Sequence, residues 1–237
     1  MKAMILAAGR GTRLRPFTDQ LPKCLMPING RPILEWWLSR LMDIGIEGVL
    51  INTHYRADQV NRYLSTSRFG SYVDVVFEPM LLGTAGTVVK NKDFFSGEDG
   101  MLLHADNFCL ADLSEFIAAH KNREPNTLIT MMTFLSNRPS ESGIVEVDKR
   151  GVVIGFYEKV KKPPGSLANG AVYILTNELL SSLGCVEDFS TQVLPQYVGK
   201  IQSYFCSQTF IDIGTPESYF AASRLAMSDG SLMRRKN

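Results

Sequence analysis

The stretch whose reading decides the fold is residues 1–31, MKAMILAAGRGTRLRPFTDQLPKCLMPINGR. An apolar run from Met4 to Ala8 ends in Gly9-Arg10-Gly11-Thr12-Arg13, and Pro22-Lys23 follows. That order describes a buried strand feeding a glycine loop. Two glycines at a strand end let backbone N–H groups approach a polyphosphate closely. Arg13 and Lys23 then add two positive charges beside it. Neither standard phosphate motif applies. Leu14 stands where a dinucleotide fingerprint has its third glycine, and no Gly-Lys-Ser/Thr ending of a P-loop follows. The missing glycine, with Arg13 and Lys23 so near the loop, also excludes a Rossmann dehydrogenase.

Outward from this stretch, the rest of the chain is the material of one large α/β domain. Its 237 residues, 45% of them hydrophobic, suffice for a full core. A net charge of +1 with 21% charged residues argues against a protein built for nucleic-acid backbones. The four cysteines (Cys24, Cys109, Cys185 and Cys206) form no CxxC pair and suggest neither a zinc site nor a disulfide framework. Reduced thiols in a cytoplasmic protein are the expectation. No apolar run approaches the ~20 residues of a membrane helix.

Strand-like and helix-like runs alternate through the first half. Strands are expected at 1–8, 49–52, 72–77 and 101–104, and helices at 31–44, 57–64, 84–90 and 112–121. In the first helix Ile33, Leu34, Trp37, Leu38, Leu41 and Met42 share the inward face. This βαβα rhythm predicts a Rossmann-like, doubly wound α/β fold with a mixed, mainly parallel sheet. Ligands of such sheets sit at the carboxyl ends of strands, where Gly9, Gly83 and Asp106 fall. Residues 1–126 form the nucleotide-binding half on this reading. The pattern then turns β-rich, with strands at 127–134, 144–147, 152–157, 171–175 and 201–206 and a hairpin turn at Asp148-Lys149-Arg150-Gly151. Residues 127–227 are therefore a smaller β-rich extension closing over the site, with short helices at 176–183, 190–197 and 216–227. Residues 228–237 are a frayed tail, and no hexapeptide repeat announces a C-terminal β-helix.

Taken whole, the opening stretch resembles the signature of the sugar-1-phosphate nucleotidyltransferases, LAAGxGTRLxPxT followed by PKxLxPI. It is carried here by Leu6 to Thr18 and by Pro22 to Ile28. The resemblance runs from Met1 to about Arg224 and implies the nucleotide-diphospho-sugar transferase fold. It implies that Leu6, Ala8, Gly9, Arg10, Gly11, Thr12 and Arg13 bind the nucleotide. Arg13 would hold its outer phosphates, and Lys23 would act on charge at the reacting phosphates.

Other segments gain roles from the same resemblance. Asp106 in HADN and Asp212 in FIDIGT stand at the ends of apolar runs. On residues alone each is a capping or turn aspartate. The resemblance makes them the carboxylates that hold a catalytic Mg²⁺, with Ala105 replacing a glycine and Phe210 a tryptophan. Leu82-Gly83-Thr84-Ala85-Gly86 is on residues alone a turn capping a helix. By resemblance Gly83 and Ala85 are main-chain contacts beside the nucleobase and ribose. Glu158-Lys159, otherwise a solvated surface pair, matches an EKP motif in which the lysine takes the sugar phosphate and the glutamate sugar hydroxyls; Val160 replaces the proline. Gly143 and Asn169 match backbone and side-chain contacts to the sugar, with Asn169 otherwise a turn residue. The three histidines make no triad; His54 is the one to watch, and His120 ends a helix whose dipole favours a cation.

Glu78-Pro79 with LGTAG is similar to the mannose-1-phosphate guanylyltransferases, while HADN, GIVEVD, EKV, LANGAVYIL and Asp188-Phe189-Ser190 together look most like the D-glycero-α-D-manno-heptose 1-phosphate guanylyltransferases. Those serve bacterial capsule and lipopolysaccharide synthesis. The implied partners are GTP, a sugar 1-phosphate and Mg²⁺, in a cytoplasmic enzyme; base rates for soluble enzymes allow a homodimer, for which the sequence marks no interface. Uridylyl-, thymidylyl- and cytidylyltransferases are the alternatives, N-acetylmuramate 1-phosphate being one further substrate. A non-catalytic sugar-nucleotide sensor is the alternative of another class.

Overall fold

The computed structural model describes residues 1–228; the expected frayed tail lies, but for Ser228, outside them. The opening apolar run forms β1 (Lys2–Leu6), and the loop after it passes through three short 3₁₀ turns, the last at Lys23–Leu25. A two-residue ribbon, β2 (Pro27–Ile28) against β3 (Arg31–Pro32), then turns the chain into α1 (Ile33–Asp43). The expected alternation follows as β4 (Val49–Thr53), α2 (Ala57–Thr66), β5 (Val73–Phe77), α3 (Gly83–Lys90) and β6 (Gly100–His104). After β6 come β7 (Asn107–Cys109) and α4 (Leu113–Lys121), whose first turn is capped by the Asp112 carboxylate accepting from the Ser114 and Glu115 N–H groups. The β-rich part holds β8 (Ile129–Leu135), β9 (Gly143–Val147), β10 (Val153–Glu158) and β11 (Leu167–Leu175). It closes with α5 (Asn177–Ser182), a helical segment over Phe189–Tyr197, β12 (Ile201–Phe205), β13 (Phe210–Asp212) and α6 (Pro216–Ser228).

One nine-stranded sheet runs through both halves, in the order β10-β9-β11-β6-β1-β4-β5, with β8 pairing β11 off this path and β12 pairing β8. It is parallel from β6 through β1 and β4 to β5, and antiparallel where β11 meets β6, β8 and β9. Parallel strands need crossovers, and the connecting helices cover both faces. Trp37, Leu38, Val60, Leu64 and Phe116 cover one face; Ala85, Val88, Leu179, Phe189 and Val193 cover the other. A third core lies under the glycine loop and joins Leu14, Met26, Ile28, Ile33, Trp36, Phe108, Ile213, Ala222 and Ala226.

Three expectations are corrected. Met42 faces outward, 36% exposed, because Trp36 takes its share of the buried helix face in the third core. Asn169 lies inside β11 rather than before it, at a bulge where the register to β8 shifts. His120 does not favour a cation. It is buried between the Thr130 hydroxyl (2.7 Å from Nδ1) and the Asp99 carboxylate (3.0 Å from Nε2), and burial pushes its pKa down against the pull of Asp99. Cys24, Cys109, Cys185 and Cys206 are free thiols, and no helix among the described residues is long and apolar enough to cross a membrane.

The lowered His120 pKa has a defined pH signature. The unfolded chain takes up the proton near pH ~6.5 while the native imidazole resists it, so this contribution is complete above that value and is lost as pH falls below it. The urea midpoint should therefore drop between pH 7 and pH 5, and His120→Gln should drop less over the same interval.

Candidate active site

The carboxyl end of β1 delivers Ala7, Ala8 and Gly9 to the sheet edge, flanked by Asn52 at the end of β4 and His104 at the end of β6. Beyond Gly9 the loop turns at Gly11, whose φ of +63° is left-handed. A Cβ there would stand 2.9 Å from the Thr18 methyl, while the Thr18 hydroxyl donates to the Gly11 carbonyl at 2.8 Å. Leu14 is buried, and Phe17 packs against the rings of Tyr219 and Phe220 on α6. The loop is thus seated by its apolar residues, which leaves Arg13 two-thirds exposed (66%).

Lys23 sits where the two acidic segments converge. β7 and β13 pair antiparallel with Asp212 opposite Asn107, and the Ile213 N–H donates to the Asp106 carbonyl at 3.0 Å. This ribbon brings Asp212 beside Asp106. The Lys23 ammonium, 11% exposed, lies 2.5 Å from Asp106 Oδ2 and 3.2 Å from Asp212 Oδ1, and Arg13 Nη2 is 3.8 Å from Asp212 Oδ2. Burial works against the charge of Lys23, yet the two carboxylates outweigh it and hold its pKa above the ordinary lysine value. Burial alone would raise the Asp106 carboxyl, but Lys23 holds it well below the usual range.

A cavity of about 250 Å³ opens beside this cluster. Of the residues expected to bind nucleotide or reacting phosphates, Leu6, Ala8, Gly9, Lys23, Gly83 and Asp106 line it. Arg10, Gly11, Thr12, Arg13 and Ala85 do not. Ala85 stands off the cavity wall. Its N–H already donates to the Glu187 carbonyl at 2.8 Å, and its side chain is fully buried. Gly83 keeps its place for a steric reason: its φ is +78° and a Cβ would stand 2.2 Å from the same carbonyl.

The sugar-side residues form a second cluster on neighbouring strands. Gly143 pairs with Glu158 between β9 and β10, and a Cβ on Gly143 would meet Glu158 Oε2 at 2.6 Å. Lys159, at φ +49° and largely exposed, reaches back to Glu158 Oε1 at 3.0 Å. Asn169 donates to the Tyr173 hydroxyl at 2.7 Å. Next to it, the Gly170 carbonyl accepts from the Asn107 amide at 2.9 Å, which ties this cluster to the residue after Asp106. None of these four residues lines the cavity itself.

Sequence reasoning assigned no role to Asn52, Thr84 or Cys24, and left Glu78 without one, yet all four line the cavity. The signal was present for two of them. Asn52 and Glu78 each follow an apolar strand run at its carboxyl end, the position where parallel sheets place ligands. His54 has a backbone task, its Nδ1 donating to the Glu78 carbonyl at 2.8 Å. Burial pushes the Cys24 thiol up to about 12, so it offers no thiolate nucleophile.

A family model described as nucleotidyl transferase matches residues 2–228. The chain belongs to the nucleotidyl transferase family. It is 32% identical over 223 residues to the D-glycero-α-D-manno-heptose 1-phosphate guanylyltransferase of Campylobacter jejuni, covering 93% of this chain and 97% of the relative. A structure from Bacillus anthracis shares the fold at a TM-score of 0.86 and 22% identity, covering 96% of each chain. HddC from Yersinia pseudotuberculosis, solved with GMP-PN, superimposes at a TM-score of 0.79 with 25% identity over 94% of this chain and 98% of that one. The chain spans only 63% of a mannose-1-phosphate guanylyltransferase and 64% of a UTP–glucose-1-phosphate uridylyltransferase that it also matches. Membership of this family carries the sugar-1-phosphate nucleotidyltransferase reaction to the chain.

The Lys23 cluster predicts a pH-dependent defect. Lys23→Met leaves Asp106 and Asp212 facing one another without their ammonium, which should cost about 2 kcal/mol at pH 7, given a buried pair partly open to water. In the wild type the lowered Asp106 pKa contributes stability above ~3.9 that fades as pH falls through the native value. The wild-type advantage in Tm should therefore be largest at neutral pH and shrink below pH ~4.

Proposed function

We propose that the chain transfers a guanylyl group from GTP to a manno-configured sugar 1-phosphate, heptose or mannose, with release of pyrophosphate. The observation that carries the transfer reading is the convergence of Lys23, Asp106 and Asp212 at the cavity wall. A sugar 1-phosphate, with a second pKa near ~6, is largely dianionic at neutral pH, so its attack on the α-phosphorus needs no general base. What it needs is relief of repulsion between two anions and an in-line approach. Lys23 is the buried cation at the point of attack, Arg13 meets the outer phosphates with the glycine loop, and Lys159 steers the sugar phosphate while Glu158, Asn169 and the Gly143 backbone take its hydroxyls.

Asp106 and Asp212 fit Mg²⁺ as a hard-oxygen pair already sharing one cation, the Lys23 ammonium. Mg²⁺ held by Asp106 and Asp212 would supply charge neutralisation at the phosphates.

GTP is favoured by two things. Glu78 lines the cavity, and the spare acceptor capacity of its Oε2 would suit the ring N–H of guanine, uracil or thymine and not the ring nitrogen of adenine or cytosine. Among those bases the Campylobacter relative and the GMP-PN complex of HddC point to guanine. Uracil is the second reading, because its ring N–H satisfies the same carboxylate and a uridylyltransferase is among the relatives.

Pyrophosphate release, measured with Mg²⁺ over GTP, UTP, dTTP, CTP and ATP against mannose, heptose, glucose and muramic-type 1-phosphates, tests the proposal. Release should be fastest with GTP and a manno-configured phosphate; another best pair would reject the specificity and keep the reaction. Tight binding with no release from any pair would make the protein a sensor. Lys23→Ala and Asp106→Asn should each lower turnover by on the order of 10²–10³, and near-full activity of Asp106→Asn would remove it from the metal site.

A further inference from the structure

Behind the cavity wall lies a polar network that the transfer chemistry does not use. Asn52 is 4% exposed, Glu78 2% and Thr87 not at all. Asn52 Oδ1 accepts from the Ala7 N–H at 2.8 Å, while its Nδ2 donates to Glu78 Oε1 at 3.0 Å and lies 3.1 Å from Thr87 Oγ1. The Thr87 hydroxyl lies 2.6 Å from Glu78 Oε1, and the Leu82 N–H donates to Glu78 Oε2 at 3.2 Å. Among the described residues no lysine, arginine or histidine side chain pairs with the Glu78 carboxylate.

A carboxylate buried without a counter-ion is costly unless its lone pairs are met by donors. Oε1 has both of its lone pairs engaged, by Asn52 and Thr87. Oε2 has one partner and one lone pair to spare, on a residue that lines the cavity. Helix and sheet packing alone would be served more cheaply by an apolar side chain.

We propose that Asn52 is a positioning residue, whose amide aims Glu78 at the ring N–H of a nucleobase and ties that aim to Ala7, where the phosphate loop begins. This rests on reading the cavity as the nucleotide site. The two ends of one planar amide serve the two tasks. Its carbonyl sets the Ala7 N–H and its NH₂ sets Glu78, so neither can shift without the other. Thr87 holds the same oxygen from α3, the helix that begins at Gly83 on the cavity wall.

The test is equilibrium binding of GTP, UTP, ATP and CTP to the full chain and to Asn52→Ala and Thr87→Val, with Tm recorded for each. The wild type should bind GTP or UTP more tightly than ATP and CTP. Asn52→Ala should weaken the preferred nucleotide about tenfold, the worth of one hydrogen bond to a charged group, and leave ATP and CTP within about twofold. Thr87→Val, which keeps the bond from Asn52 to Ala7, should move the preference the same way by less. It keeps the question open to experiment should Asn52→Ala fail to fold. A lowered Tm with the base preference intact would overturn the inference and leave the nucleotide site standing. A wild type that binds nucleotides with no preference for a ring N–H would overturn it as well, while one that binds none would reject the nucleotide reading itself. Preference for UTP over GTP would reject only the guanylyl assignment and still support the role of Asn52.

Discussion

One ammonium group shared by two carboxylates constrains the rest of this molecule. Lys23 meets Asp106 and Asp212 from positions 83 and 189 residues away along the chain. Nothing local could bring them together. The meeting depends on the ribbon of β7 with β13, a ladder of three residue pairs. So short a ribbon is not stable by itself. It is held by the third core, where Phe108 of β7 and Ile213, the residue after β13, pack with Leu14, Met26, Trp36 and two alanines of α6. That core also seats the glycine loop through Leu14. The apolar residues of the signature stretch are therefore the platform on which its charged residues are presented.

The sheet order explains how the two candidate substrate sides are separated and joined. β1, β4 and β5 carry the glycine loop, Asn52 and the approach to Glu78; β9, β10 and β11 carry Gly143, Glu158 and Asn169. β6 lies between them with Asp106 just beyond its end. A reaction between a nucleotide and a sugar phosphate wants its charged centre at that boundary, and the change from parallel to antiparallel pairing at β6 and β11 falls there. Open α/β sheets bind ligands where their topology changes.

Much of this was legible before any coordinates. The alternation of elements and the glycine loop are legible in local pattern, and a long motif together with the ends of apolar runs singles out Lys23, Asp106 and Asp212, the three side chains that meet in the structure. Boundaries of the main strands and helices moved by a few residues. What failed has physical reasons. Periodicity places Met42 inward because it cannot tell which of two adjacent apolar stripes is covered, and the stripe with Trp36 is the one buried. Helix position suggested a cation for His120, where burial wins over the dipole. The motif gives no sign that the Ala85 N–H donates to the Glu187 carbonyl, which the structure alone shows.

The amino-acid order by itself determined the layered α/β class, the strand-to-loop signature and the residue types available for phosphate chemistry, because these depend on periodicity and on spacings of a few residues. Only the tertiary structure decided that Asp106 and Asp212 share Lys23, that Ala85 is withdrawn from the wall, and that Asn52 and Thr87 stand behind Glu78. Those relations join residues tens to hundreds of positions apart. They are set by strand register and by competition for backbone donors, which no local pattern encodes.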